Sequence, residues 1–188
     1  MRIVGGTLRG LKLVDVGDGD NAAHLRPTTD RVREAIFNLL VNGAQGNPIP
    51  GARVLDLFAG TGALGLEALS RGAGHAVFVD DGTPAQALIR SNIARARAGN
   101  ATVSLRRDAT RLGDNREAPH GLVFLDPPYG QGLGERAIAS ALDGGWIAPG
   151  AVVVWEERRP PVVAAPLVPF DQRRYGDTVV TLARMPGP

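Results

Sequence analysis

The chain has 188 residues, of which 44% are hydrophobic and 21% are charged, and this size and balance predict one globular domain. It contains no cysteine, which excludes disulfides, cysteine-ligated metals, iron–sulfur clusters and thiol nucleophiles. Its 21 Lys and Arg nearly balance 19 Asp and Glu, and no apolar run reaches the roughly 18 residues of a membrane span, so we expect a cytoplasmic protein.

The N-terminal part predicts a small extension. Two short apolar–polar stretches, residues 2–5 and 10–14, are separated by glycine-rich sequence and indicate a hairpin. Thr28, Thr29 and Asp30 then offer N-cap and first-turn chemistry for a helix whose apolar residues recur at helical spacing. We therefore expect one side of this helix to be buried.

The rest of the chain alternates short apolar strands with helical segments. The predicted strands are 53–57, 76–80, 102–105, 122–125 and 151–155, and the predicted helices lie near 63–71, 84–98 and 133–143. Alternation of this kind indicates an α/β fold with a doubly wound, mostly parallel, Rossmann-like sheet. Residues 167–174 and 177–184 predict an antiparallel hairpin added to one edge of that sheet.

These elements predict three parts. The hairpin and helix form an extension over residues 1–42, a Gly- and Pro-containing linker covers 43–50, and the α/β core covers 51–188.

A glycine-rich loop follows the first core strand. Gly60, Gly62 and Gly65 match the G-x-G-x-x-G pattern of nucleotide-binding turns, which fits a nicotinamide dinucleotide as well as other nucleoside cofactors. Asp56, at the end of the strand, favours a cofactor with a cationic tail, because it would repel a pyrophosphate. Asp80 ends the next strand and can accept ribose hydroxyls in either class. The simpler alternative to a cofactor contact is that Asp56 only caps the turn that follows it.

Asp108 and Ala109 follow the third predicted strand. Asp108 can accept a hydrogen bond from an adenine amine, and the backbone of Ala109 can donate to a ring nitrogen. An Asp at such a place is equally typical of a cap on the following turn.

The strongest signal is the tetrad Asp126-Pro127-Pro128-Tyr129 after the fourth strand, next to the first strand in a doubly wound sheet. An aromatic amine is a weak nucleophile because its lone pair is delocalised. The carboxylate of Asp126 and the carbonyl of Pro127 can accept its two hydrogens and localise that pair. Pro127 and Pro128 fix the backbone and remove competing donors, and Tyr129 can stack on the base.

At these residues the chain resembles class I S-adenosylmethionine-dependent methyltransferases, and the tetrad resembles their amino-methyltransferase motif. Three further stretches are similar to the RsmD family, which methylates guanine N2 in small-subunit ribosomal RNA. They are residues 2–6 with 9–10, residues 26–28 with 30–38, and residues 64–72. The resemblance spans nearly the whole chain.

This resemblance implies S-adenosylmethionine as the cofactor and RNA of the assembling or assembled 30S particle as the substrate, with no metal. It implies that the catalytic residues are the tetrad 126–129 and that the cofactor is held by nine residues. These are Asp56, Phe58, Gly60, Thr61, Gly62, Asp80, Asp81, Asp108 and Ala109. Asp81 is included because the family usually has Glu at position 80 and a second polar residue where Gly82 stands here.

Six basic residues around the extension are candidate phosphate ligands, with ordinary solvated cations as the alternative for each. They are Arg2, Arg9, Lys12, Arg26, Arg31 and Arg33. Each phosphate neutralised on a single strand adds about 0.7 to the salt slope of binding. Leu11 occupies a place where the family often has another Arg, so fewer contacts than usual are expected.

Three alternatives remain open for the function, and one of them is a nicotinamide oxidoreductase, which Asp56 disfavours. The tetrad selects an exocyclic amine and no particular base, which leaves adenine N6 or cytosine N4 in DNA, although a chain of this length leaves little room for a target-recognition domain. The third is a non-catalytic RNA-binding assembly factor that retains the pocket. We expect the protein to act as a monomer.

Overall fold

The structure is a computed structural model that describes residues 1–15, 29–44 and 46–187. Within these ranges, seven strands form one sheet in the order β3-β2-β1-β4-β5-β7-β6. Strands β1 to β5 are parallel, and β7 runs antiparallel to both β5 and β6. The strands are β1 Arg53–Leu57, β2 His75–Asp80, β3 Thr102–Arg106, β4 His120–Leu125, β5 Ile147–Glu157, β6 Val168–Tyr175 and β7 Thr178–Arg184.

In the described ranges, four α-helices cover the two faces of the sheet. They are α1 Asp30–Asn42, α2 Ala63–Ser70, α3 Thr83–Ala96 and α4 Leu133–Asp143. The first three bury apolar side chains in the cluster that contains Phe78 and Phe124. Helix α4 packs into the cluster on the opposite face, with Trp155. The predicted α/β fold with a C-terminal edge hairpin is therefore confirmed, and it is a three-layer arrangement.

The hydrophobic runs produce strands because both faces of the sheet are covered. In β1 the four residues from Val54 to Leu57 are all buried, as expected for a parallel strand between two helical layers. Strand β5 is longer than predicted, since it begins at Ile147 and ends at Glu157. The added length was not predicted because Pro149 and Gly150 interrupt the apolar sequence at one end and Glu156 and Glu157 follow it at the other.

The N-terminal extension is part of the same core. Antiparallel pairing in the hairpin is limited to a bridge between Arg2 and Lys12. Thr29 caps α1, its hydroxyl accepting a hydrogen bond from the Val32 amide at 3.3 Å. The apolar cluster beneath α2 and α3 includes Ile3 and Leu13 of the arm, residues 1–15, together with Phe37 of α1. The arm is thus packed against the α/β core. The predicted linker over residues 43–50, between the extension and the core, stays a prediction.

No helix in the described part of the chain is long and apolar enough to cross a membrane.

His120, at the start of β4, makes the fold sensitive to acid. Its ring is 1% exposed, stacks on Trp146 with centroids 5.9 Å apart, and has no described hydrogen-bond partner at Nε2. Burial lowers its pKa to about 4, whereas the pKa of a His in the unfolded chain is about 6.5. Only the unfolded chain gains this proton between those pH values, so the folded state loses about 1.4 kcal/mol per pH unit there.

We expect urea unfolding to show this acid loss in the wild type and a shallower one in His120→Phe, which keeps the stacked ring without the titrating nitrogen. Because carboxylates titrate in both proteins, the difference between the two curves isolates His120. Equal slopes between pH 6.5 and the pKa of about 4 would contradict the assignment.

Candidate functional site

The site lies at the carboxyl edge of the sheet, where the strand order reverses. Strands β1 and β4 are neighbours, with Leu57 in register with Leu125, although β2 and β3 lie on one side and β5 on the other. Ligands of open α/β sheets bind at such a switch point. The glycine loop, residues 58–62, leaves β1 here, and the tetrad, residues 126–129, leaves β4 beside it.

The glycine loop has an unusual backbone. Gly60 and Gly62 adopt positive φ angles of 58° and 77°, and Phe58 does so at 58° without being glycine. A bulky residue in this region costs free energy, and such strain is concentrated at binding sites. A Cβ at position 62 would also approach the Phe78 ring to 3.3 Å. The two glycines are therefore required by the turn.

Asp80 fastens the glycine loop to the end of β2. Its Oδ2 accepts the Gly60 amide at 2.9 Å, and its Oδ1 accepts the Gly82 amide at 2.9 Å. Burial raises the pKa of this carboxyl. Asp81 is exposed and contributes its carbonyl to the Arg106 guanidinium at 3.2 Å. Which of these two carboxylates holds the ribose stays a prediction.

Asp56 is buried beneath the loop with 2% of its surface exposed. Its Oδ2 accepts the amide of Gly65, in the first turn of α2, at 2.9 Å. Burial raises its pKa well above the usual range, and the negative charges of Asp126 and Asp80 raise it further against the Gly65 hydrogen bond. The cap role proposed as the simpler alternative is thus present, and three carboxyl groups converge on this point.

Gly65 explains the third glycine of the motif. A Cβ there would overlap the Phe78 ring and lie 3.1 Å from Oδ2 of Asp56. Helix α2 can approach the sheet closely only because this position has no side chain.

Asp108 caps a short helical turn over Ala109–Arg111. Its Oδ1 accepts hydrogen bonds from the Thr110 amide at 2.8 Å and the Thr110 hydroxyl at 2.7 Å. These bonds, led by that of the hydroxyl, lower its pKa and keep it ionised. The cap alternative is therefore present at Asp108 too, and Ala109 is buried. The adenine contact stays a prediction, to be made through the oxygen that Thr110 does not use.

The tetrad is anchored but reachable. Asp126 and Tyr129 are partly buried, and Pro127 is buried. The Tyr129 hydroxyl lies 3.3 Å from the Thr178 hydroxyl at the start of β7. Burial raises the pKa of Tyr129 to about 12, so the phenol stays protonated. The C-terminal hairpin thus helps to hold the aromatic ring of the tetrad.

Four of the basic candidates are exposed. Arg2, Arg9, Lys12 and Arg31 all present their side chains to solvent, and Arg2 retains a loose ion pair with Asp30 at 3.7 Å. Arg26 lies outside the described residues. The exposed set can meet a phosphate backbone without rearrangement.

Arg33 is different, and its prediction as a phosphate ligand is wrong for this structure. Its side chain is 0% exposed and pairs with Asp30 at 2.7 Å and with Glu67 at 3.7 Å. It also donates to the carbonyl of Arg2. A buried, compensated guanidinium cannot reach RNA without breaking these contacts.

Glu67 is the partner that sequence reasoning missed. It is 0% exposed and accepts the amides of Val4 and Gly5 at 2.8 Å each, as well as Arg71 at 2.8 Å. Its signal was available, because it is the one charged residue in the helix ALGLEALS. A lone acid in an apolar helix indicates buried donors nearby.

The family model described as "Conserved hypothetical protein 95" matches residues 1–184. Ribosomal RNA small subunit methyltransferase D of Escherichia coli K12 is 45% identical over 157 residues, covering 83% of this chain and 74% of that protein. The Haemophilus influenzae protein of the same name is 36% identical over 162 residues, covering 85% and 79%. The solved structure named "Putative methyltransferase yhhF from Escherichia coli" superimposes with a TM-score of 0.81 at 37% identity, covering 100% and 99%.

Proposed function

The chain belongs to the RsmD family of small-subunit ribosomal RNA methyltransferases, and from this premise we propose that it transfers a methyl group from S-adenosylmethionine to the exocyclic N2 of a guanine. It is a methyltransferase that acts on small-subunit ribosomal RNA.

The convergence of carboxyl groups carries the proposal for the cofactor. Burial, followed by repulsion from Asp126 and Asp80, raises the pKa of Asp56, so the ionised form of Asp56 lacks solvation and lies beside two like charges. A cationic ligand relieves that repulsion, whereas the pyrophosphate of a nicotinamide dinucleotide would increase it. S-adenosylmethionine carries an ammonium and a sulfonium group and supplies an electrophilic methyl group when bound.

The described residues fit this cofactor. The strained glycine loop, including Phe58 and Thr61, provides a close backbone surface, and Asp80 stands at the end of β2, where a ribose diol would be accepted. Asp56 would face the cationic amino-acid end. Asp108 and Ala109 would hold the adenine, and Asp81 is the second candidate for the ribose.

The tetrad supplies the acceptors for an aromatic amine. We assign Asp126 and the Pro127 carbonyl to the two amine hydrogens, Pro128 to fixing the turn, and Tyr129 to stacking on the base. Stacking is worth about 1–3 kcal/mol per base, comparable to the few kcal/mol needed to extract a nucleotide. Since methylation makes the amine acidic, Asp126 orients and stabilises it and need not be a strong base.

The direct test is methyl transfer to isolated 30S subunits, followed by mass-spectrometric mapping of the modified nucleotide in RNA from cells with and without the protein. We expect one N2-methylguanine that disappears without it. A methylated adenine or cytosine in duplex DNA would favour the DNA alternative. Subunit binding without methyl incorporation would favour an assembly factor.

The exposed cations of the extension predict salt-dependent RNA binding. Replacing both Arg9 and Lys12 by Ala should weaken binding to the subunit and flatten the log–log salt slope by about 0.7 per residue. Affinity measured over a salt series checks this. Arg116→Ala is the matched control, because Arg116 is exposed and precedes β4 at the opposite edge of the sheet. Equal slopes in all three proteins would remove Arg9 and Lys12 from the interface.

A substrate within the small ribosomal subunit is in keeping with a cytoplasmic protein. Action as a monomer and the assignment of residues 1–42 to RNA binding remain part of the proposal.

A further inference from the structure

Asn92 of α3 joins the N-terminal arm to the glycine loop. Its side chain is 0% exposed and makes three hydrogen bonds. Nδ2 donates to the carbonyl of Thr61 and to the carbonyl of Val14, each at 2.9 Å. Oδ1 accepts the amide of Val14 at 2.7 Å. One buried amide thus satisfies backbone groups of two segments that are distant in sequence.

Both segments belong to the proposed function. Thr61 lies between the two left-handed glycines of the loop, whose φ angles are 58° and 77°, so the orientation of its peptide affects both. Val14 is in the arm that carries Arg2, Arg9 and Lys12. The Thr61 hydroxyl also contacts Sδ of Met1 at 3.4 Å, which brings the beginning of the arm to the same place.

The arm is also attached to the last residue of α2. Ser70, at the end of α2, donates to the Gly5 carbonyl at 2.6 Å and accepts the Leu8 amide at 2.9 Å. Gly6 lies so close to the backbone of Ser70 that a Cβ would overlap it. Helix α2 begins directly after the glycine loop. The arm therefore contacts the helix that follows the loop and, through Asn92, it is also joined to the loop itself.

We propose that Asn92 is a positioning residue through which the N-terminal arm fixes the glycine loop, so that cofactor affinity depends on arm contacts. The inference rests on the proposed function. Without Asn92 the Thr61 carbonyl would be a buried acceptor without this donor, and the loop would relax to satisfy it. By linkage, RNA contacts on the exposed cations of the arm are coupled through these bonds to cofactor binding, and the coupling acts by the same factor in both directions.

The test begins with Asn92→Asp, which keeps shape and the acceptor for the Val14 amide. It removes both donors and turns an oxygen toward two carbonyls. We expect calorimetry to show affinity for S-adenosylmethionine reduced by about tenfold, because the loop loses the hydrogen bond that holds the Thr61 carbonyl. Wild-type affinity should increase when small-subunit RNA is added, and this increase should be lost in the variant.

Val14→Pro weakens the same link from the arm, since it removes one of the two bonds between Val14 and Asn92 and leaves α3 intact. It therefore decides the question if Asn92→Asp does not fold. It removes the amide donated to Asn92, whereas the control Val14→Ala keeps it. We expect weaker cofactor binding only in Val14→Pro. The effects of the two substitutions on cofactor affinity should be non-additive in the double variant, because both break the same chain of hydrogen bonds.

Ile138→Val in α4 supplies a control for lost stability, since Ile138 is buried on the opposite face of the sheet. A purely structural role predicts lower melting temperatures with unchanged cofactor affinity for Asn92→Asp and Val14→Pro, as in Ile138→Val, and that result would overturn the inference. A wild-type protein that binds no S-adenosylmethionine would overturn the proposed function and this inference together.

Discussion

Replacing Asp126 by Asn is expected to lower methyl transfer to the small subunit by at least about a hundredfold, the usual cost of losing an oriented charged acceptor. Affinity for S-adenosylmethionine should stay within a few fold. The amide retains one acceptor, but its NH2 group opposes the amine hydrogens, and the negative charge that stabilises the developing cation is lost. Single-turnover rates and calorimetry separate the two quantities.

Tyr129 provides the companion variants. Tyr129→Ala removes the stacking ring and should abolish turnover, whereas Tyr129→Phe loses only the contact with the Thr178 hydroxyl at 3.3 Å and should retain most of it. Asp143→Asn, an exposed acid at the end of α4, is the control for a neutralised surface charge. A rate for Asp126→Asn close to that of Asp143→Asn would show that Asp126 does not take part in the reaction.

The core elements were predictable because their signal is local. Strand β1 ends where the sequence predicts because burial on both faces makes its sequence mostly apolar. Helix α4 does so because Gly132 and Gly144 mark its two ends. The site follows from the same logic. Once a parallel sheet with a switch point is inferred, Asp56, Asp80 and Asp126 must end neighbouring strands at one edge.

The sequence predictions fail for side chains whose partners are distant in the sequence. Arg33 is one of several basic residues close together in the sequence, which is typical of an RNA ligand. The structure nevertheless buries it against Glu67 and the carbonyl of Arg2. Asn92 gives no signal, because a polar residue in an amphipathic helix normally faces water. Only the packing of the arm across α2 and α3 brings these groups to their partners, and no periodicity in the sequence encodes that docking.

Asp56→Asn should have two opposite effects. Burial and two neighbouring carboxyl groups raise the pKa of Asp56 in the folded protein, so its ionisation costs stability, and this cost grows as the pH rises above the unfolded value of about 3.9. Asn keeps an acceptor for the Gly65 amide without the charge. We expect a higher melting temperature for the cofactor-free variant at neutral pH, by about 2–4 °C per kcal/mol relieved, and a smaller gain at pH 4.

Cofactor binding should change in the other direction, with an affinity for S-adenosylmethionine reduced by about tenfold or more, since a poorly solvated charge pair contributes well over 1.4 kcal/mol. A cation favours the ionised carboxyl, so wild-type affinity should rise with pH through the raised pKa, and the Asn variant should lose this dependence. Asp114→Asn, an exposed acid remote from the switch point in sequence and fold, controls for net charge. Unchanged affinity in Asp56→Asn, with or without stabilisation, would mean that the buried carboxyl only supports the turn, and the electrostatic case for a cationic cofactor would fall with it.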